Sequence, residues 1–210
     1  MKDWYRQKSW SKSEEEYFFT KLARARKDGR AQYLKIQAIE LAETKDEKLL
    51  TVAEYLLSRL FSEYPDDKYN RASALVTLGN ICQIKNDDDK AIDYYKQAVD
   101  FETIFPNVIT QAYIYLSELV IKHQKANLYD RVEKILTERI PGTLFPIEKY
   151  KGYSILSIIN SYRHNIEQAE YFAALAEQNA NKETSGLRYH KYLGVVKERD
   201  SWLDKLVKRK

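Results

Sequence analysis

Three histidines, one cysteine, a run of three aspartates and a cluster of basic residues are the groups in this chain whose types could do chemistry. His123, His164 and His190 lie far apart. None has a second His, Cys or carboxylate at a ligand spacing such as His-x-x-x-His, so the pattern argues against a metal site. His123 falls on an apolar helical stripe and is expected in the core. Cys82 stands alone, which excludes an internal disulfide and fits a reducing compartment. It is expected as a buried, inert thiol. Asp87, Asp88 and Asp89 lack the alternating ligands and the glycine of a calcium loop. They suit the turn before a helix, with Asp87 or Asp88 as its N-cap. The chain has no Gly-rich phosphate loop and no Gly-x-Ser-x-Gly elbow. No convergent set of titratable residues can be named, so neither a catalytic residue nor a cofactor is expected.

Lys21, Arg24, Arg26, Lys27 and Arg30 are the one local excess of charge. The whole chain carries 35 Lys and Arg against 31 Asp and Glu, a formal charge of +4. That is too mild to argue for nucleic acid, where a clustered basic face is expected. The cluster reads as the solvated face and basic end of a first helix. Contact with nucleic acid or an acidic partner is the alternative. Residues 1–10 hold no apolar run of the kind that directs secretion, and no stretch approaches the roughly 18 apolar residues of a membrane span. A cytoplasmic protein with no membrane partner is expected.

The elements that must position these groups are helices. Six Gly and four Pro in 210 residues are too few for the turns of a β-sandwich or barrel. Seventeen Tyr against seven Phe suits half-buried seams between thin helical layers. Trp4, Tyr5 and Trp10 sit in a polar arm and are expected to dock on the first helices. Ser13 and the glutamate three residues on predict an N-cap for a helix over 14–27, stopped by Asp28-Gly29. Further helices are expected over 31–43, 47–64, 68–84, 89–104, 107–125, 128–139, 147–162 and 166–179. Pro65, Pro106 and Pro141-Gly142 close three of them. A last helix is expected over 187–208, with Leu193, Val196, Leu203 and Leu206 as its stripe and Lys205, Lys208, Arg209 and Lys210 at its basic end.

Small residues recur through these helices at a near-constant interval. Ala38, Gly79, Val120 and Ser157 are 41, 41 and 37 residues apart on the first helix of each pair. Ala53, Ala91, Val132 and Ala169 are 38, 41 and 37 residues apart on the second. Small residues belong where adjacent helices approach closely. The clearest unit is 72–98, with Leu75, Leu78, Gly79 and Cys82 before a polar break, then Ala91, Tyr95 and Ala98. This arrangement resembles a tetratricopeptide repeat, and the register drawn from it covers about two thirds of the chain. The period of about 40 exceeds the roughly 34 residues of that class and also suits HEAT-like repeats.

The resemblance implies an all-α superhelix: a right-handed, tetratricopeptide-like solenoid of about ten antiparallel helices. It would form one domain over 1–210. Residues 1–30 would be an arm and capping helix, 31–180 four helical pairs, and 184–210 a C-terminal capping helix. Stacking of the pairs would supply a continuous core. The resemblance also implies a non-enzymatic scaffold or adaptor, with the first helix of each pair lining a concave groove. The groove positions would be Lys35, Ile39, Ser73, Val76, Asn80, Gln83, Ile114, Ser117, Ile121, Lys151, Ser154 and Ile158. This mixture of apolar floor, amides, hydroxyls and two lysines suits an extended protein segment or peptide as partner. The bland alternative is that several of these side chains pack internally or against a terminal helix. Some members of the class grip a C-terminal carboxylate with a Lys-Asn-Asn-Lys-Arg set. Here Asn80 and Lys151 match that set, while Val76, Glu118 and Ile155 do not, and Glu118 would repel the ligand. A peptide-responsive regulator of the same architecture, a homodimer through an end cap, and a nucleic-acid-associated repeat protein are the other readings.

Overall fold

The structure is a computed structural model and describes residues 3–207. Among the described residues it contains ten α-helices and no strand. The chain divides into two compact units, Met1–Ala112 and Tyr113–Lys210. The first holds α1 (Lys12–Arg24), α2 (Lys27–Ala42), α3 (Glu47–Glu63), α4 (Arg71–Ile84) and α5 (Asp88–Ile104). The second holds almost all of α6 (Ala112–Lys122), then α7 (Tyr129–Arg139), α8 (Pro146–Tyr162), α9 (Ile166–Ala180) and α10 (Ser201–Leu206).

In the first unit, α2 with α3 and α4 with α5 pack as helical hairpins, and α4 also lies against α2 and α3. Their apolar stripes fill one core. Leu34, Leu41, Leu56, Leu57 and Leu60 are each 0 % exposed. The arm completes this core. The Trp4 ring lies 5.4 Å from Phe18 and 4.8 Å from Tyr33, and Trp10 lies 5.4 Å from Phe18. Polar contacts then fix the arm's course. The Gln7 backbone N–H donates to Gln37 Oε1, and Gln37 Nε2 donates back to the Gln7 carbonyl. Arg6 and Lys8 both reach Glu40, at 2.6 and 2.8 Å. The expected docking of Trp4, Tyr5 and Trp10 is what the structure has.

The cap of α1 is Ser11 rather than the expected Ser13. Ser11 forms a capping box with Glu14, because Trp10, pinned against Phe18 and Phe19, brings the chain into the helix two residues earlier. The expected stop at Asp28-Gly29 is also displaced. The helix ends at Arg24, and both residues lie in the first turn of α2, where Asp28 suits the positive end of the helix dipole. Arg30 secures the corner by donating to the carbonyls of Ala23 and Ala25. Asp46 caps α3, and Asp87 caps α5 as expected. The start of α6 falls at Ala112 rather than 107. Thr110 gives its backbone N–H and its hydroxyl to Glu102, which holds the preceding residues in a loop.

In the second unit α8 is central, packed on α7, α9 and α10. The hydroxyl of Ser157 donates to the carbonyl of Ala169 at 2.7 Å, a direct measure of how closely α8 and α9 approach. A side chain on Gly152 would meet Ile140, 2.3 Å from the added carbon. The same device appears in the first unit, where a carbon on Gly79 would lie 2.3 Å from the Tyr95 ring. All eight recurring small or apolar positions, Ala38, Gly79, Val120, Ser157, Ala53, Ala91, Val132 and Ala169, are buried.

A second periodicity was not visible in the residue types. Lys45, Asn86, Gln124 and His164 have positive φ, between 51° and 61°, and each lies in the turn between paired helices. They are 41, 38 and 40 residues apart (45 to 86, 86 to 124, 124 to 164). After the last three, backbone N–H groups reach back five residues, from Asp87 to Cys82, Lys125 to Val120 and Asn165 to Asn160. This is the Schellman closure of a helix C-terminus. It also corrects the placement of His123. The apolar stripe of α6 ends before it, and His123 is exposed in the turn rather than buried.

The largest departure is at the C-terminus. The helix expected over 187–208 is replaced by irregular backbone and the six-residue α10. Gly186 and Gly194 take φ of +78° and +73°, a left-handed conformation that breaks a helical run. Gly194 sits against Phe145, where an added carbon would lie 2.4 Å from the ring. Of the expected stripe, Leu203 is buried while Leu193 and Leu206 are exposed. Lys208, Arg209 and Lys210 lie outside the described residues.

Candidate functional site

The expected groove positions divide sharply by exposure. In the first unit, Lys35 and Ile39 on α2 and Ser73, Val76 and Gln83 on α4 are half-buried, and Asn80 is exposed. The α4 residues recur at three- and four-residue steps and so share one face. Two of them are braced from behind. The hydroxyl of Tyr95, a residue 0 % exposed, lies 2.7 Å from Asn80 Oδ1 and 2.8 Å from Gln83 Oε1. The close approach of Gly79 to Tyr95 places that hydroxyl there. Lys35 has no carboxylate within ion-pairing distance among the described residues. Burial pushes its ammonium below the usual lysine range, and Asp67 only partly offsets this.

In the second unit the corresponding residues are covered or engaged. Ile114, Ser117, Ile121 and Ser154 are buried, and only Lys151 and Ile158 are half-exposed. Ser117 gives its hydroxyl proton to the Tyr113 carbonyl. Ser154 Oγ is buried without a hydrogen-bond partner among the described residues. Lys151 is the counterpart of Lys35 in type but not in surroundings. It lies 2.6 Å from Glu118 and 3.2 Å from Asp200. Burial alone would lower its pKa, but the two carboxylates more than offset that and hold it above the usual lysine range. Burial pushes Glu118 above the usual carboxylate range, against the pull of Lys151.

The irregular C-terminal segment packs on α8 and α9 and engages Lys151 through Asp200. It meets α8 through both backbone and side chains. The Ile147 N–H, one of the donors left open at the start of α8, donates to the Gly194 carbonyl at 2.8 Å. Tyr150 donates to Asp204 at 2.9 Å and accepts from the Asp200 N–H at 3.1 Å; burial and Asp204 push its hydroxyl up to about 12. Arg199 grips both oxygens of Glu177 on α9 and lies 3.0 Å from Asp204. Leu203 and Val207 are the buried apolar anchors. The segment leaves Tyr189, Tyr192 and Leu193 exposed.

The groups singled out for chemistry do not converge. Cys82 is buried, and burial raises its thiol above the ordinary cysteine range, which keeps it protonated and unreactive. His123, His164 and His190 are exposed on separate turns and loops. Among the described residues no group of three or more His, Cys, Asp or Glu is placed to hold a metal ion. The buried carboxylate of Glu148 accepts from the hydroxyls of Tyr113 and Thr143, a polar knot that ties α6 to the start of α8. Among the described residues no helix is long and apolar enough to cross a membrane. The alternative that groove positions pack internally or against a terminal helix fits the burial of Ile114, Ser117, Ile121 and Ser154, while the irregular course of the C-terminal segment, signalled by Gly194, and the left-handed turn residues were not expected. No family model matches the chain, and no curated protein or solved structure matches it.

Proposed function

We propose that the chain is a non-enzymatic adaptor, a cytoplasmic tetratricopeptide-like helical-repeat protein that holds an extended segment of a partner protein. The face of α2 and α4 in the first unit is the binding surface. One observation carries this reading: the chain already holds a segment of its own, the irregular backbone from Gly194 and the short α10 that follows, on a helix of the second unit. It does so with a main-chain hydrogen bond to Ile147, a carboxylate on Lys151 and two buried apolar anchors. Main-chain bonds for affinity and spaced side chains for selection are how extended segments are recognised. The first unit offers the same kinds of group without an occupant: an unpaired half-buried lysine, an apolar floor of Ile39 and Val76, and two braced amides. By the same chemistry its ligand brings a carboxylate to Lys35 and an apolar side chain to Val76.

The test is selection of displayed random peptides on the full chain, followed by titration calorimetry. Selected peptides are expected to carry an acidic residue. They are expected to lose at least about tenfold in affinity on Lys35→Glu combined with Val76→Glu, with helical content unchanged, a loss worth about 1.4 kcal/mol. Binding that survives both substitutions overturns the assignment of this face. Small-angle scattering of the same complexes addresses the regulatory alternative, which requires compaction on binding.

A further inference from the structure

Four cations, Lys21, Arg24, Arg26 and Lys27, cluster at the corner between α1 and α2. Arg24, Arg26 and Lys27 are exposed and make no side-chain hydrogen bond or ion pair among the described residues, and the Lys21 ammonium lies over the Tyr17 ring, 5.4 Å from its centre. Elsewhere in this unit Arg6, Lys8, Arg59, Lys85 and Lys96 are ion-paired, while others, Lys35 among them, are not. Arg30, the fifth basic residue in this stretch, is spent on the carbonyls that end α1. What sets these cations apart is that three of them share one cavity. Lys21, Arg24 and Arg26 line one cleft of about 690 Å³, whose wall is formed by Trp4 and Tyr33 and which also contains Asp28. The arm's docking builds that wall, so the cleft exists only because residues 3–10 are pinned to α2.

We propose that this cleft is a second docking site, for an acidic segment of a partner protein. Clustered cations without partners leave a local positive potential that an acidic chain neutralises, and the half-buried rings beside them supply apolar surface for its aliphatic stems. The same observations disfavour nucleic acid. Trp4 is already packed on Tyr5, Phe18 and Tyr33, at 5.4, 5.4 and 4.8 Å, and Tyr33 on Tyr5 at 4.8 Å. Rings spent on one another make a poor platform for stacked bases. Three cations beside an aspartate also make a short patch, not the track a phosphate backbone follows. The site is separate from the α2 and α4 face and stands or falls independently of it.

The test uses the full chain and two labelled probes, a peptide of eight glutamates interspersed with serine and a mixed-sequence 12-nucleotide RNA, read by fluorescence anisotropy. The peptide is expected to bind in 50 mM salt and to weaken as salt rises to 200 mM. Arg24→Glu with Arg26→Glu is expected to weaken it about tenfold. Reversing Lys197 and Lys205 in the second unit is expected to leave it unchanged. Absence of peptide binding, or equal losses from the two pairs of reversals, overturns the proposal. Tighter binding of the RNA than of the peptide overturns it in favour of nucleic acid.

Discussion

The two units use one helical pattern to opposite ends. In the first, the face that carries Lys35, Ile39, Ser73, Val76, Asn80 and Gln83 is open. In the second, Ile114, Ser117, Ile121 and Ser154 are buried and Lys151 is held by Glu118 and Asp200. The lysines show the difference most plainly, since burial depresses Lys35 while neighbouring carboxylates raise Lys151. A repeated pattern of small and apolar residues therefore sets where helices meet, but not whether a face is free. At Lys151 it is decided by a non-local contact, the packing of the C-terminal segment on α8 that brings Asp200 to its ammonium.

This contrast can be broken by taking the segment away. Ending the chain after Lys182 removes two buried apolar anchors, Leu203 and Val207. The expected cost to the second unit is about 3–6 kcal/mol, at about 1.5–3 kcal/mol for each buried side chain. Amide exchange should accelerate in α8 and stay unchanged in α4. Equal acceleration in both would show that the units do not differ in the way described.

A smaller perturbation reaches the same contact from one atom. Gly194→Ala forces a left-handed alanine against Phe145 and should cost about 3 kcal/mol by denaturant unfolding. Gly79→Ala, which crowds Tyr95 in the first unit without backbone strain, should cost about 1–3 kcal/mol. It should also weaken selected peptides, because Tyr95 braces Asn80 and Gln83. Gly194→Ala should leave those peptides unaffected.

In the opposite direction, glycine at Lys45, Gln124 or His164 should stabilise by about 0.5–1 kcal/mol each, since those side chains sit at positive φ. The gain checks that the helical turns are one repeated device present in both units. The smallest effect belongs to the arm. The hydrogen bond from Lys8, with help from Arg6, holds Glu40 below the usual carboxylate range although burial opposes it. A depressed folded pKa means that this contribution is complete above the ordinary glutamate value of about 4.3 and is lost as pH falls through the lower folded value. Tryptophan fluorescence should report loosening of the arm on acidification, and Glu40→Gln should remove that component.

Much of the helical framework was legible in the residue types. Recurring small residues marked the close approaches, Pro65 and Pro106 marked ends, and Asp87 marked a cap. The arm was legible because three aromatics in ten polar residues have few places to go but a core. The shift from Ser13 to Ser11 was not, since both serines precede a glutamate by three and only Trp10's packing separates them. The left-handed turns carried little signal because Lys45 and Gln124 have no preference for that conformation, and only Asn86 and His164 do. The last helix does not form because Gly194, at a left-handed φ, interrupts its apolar stripe. A helix expected over 187–208 also says nothing about the packing of that segment on α8.

The most direct test is amide hydrogen exchange on the intact chain with and without a peptide selected against it. The account predicts new protection in α2 and α4, around Lys35 and Val76, with α8 and residues 187–207 unchanged. Protection that appears on α8 together with release of residues 187–207 would contradict it, because the ligand would then be replacing the chain's own segment rather than filling the open face.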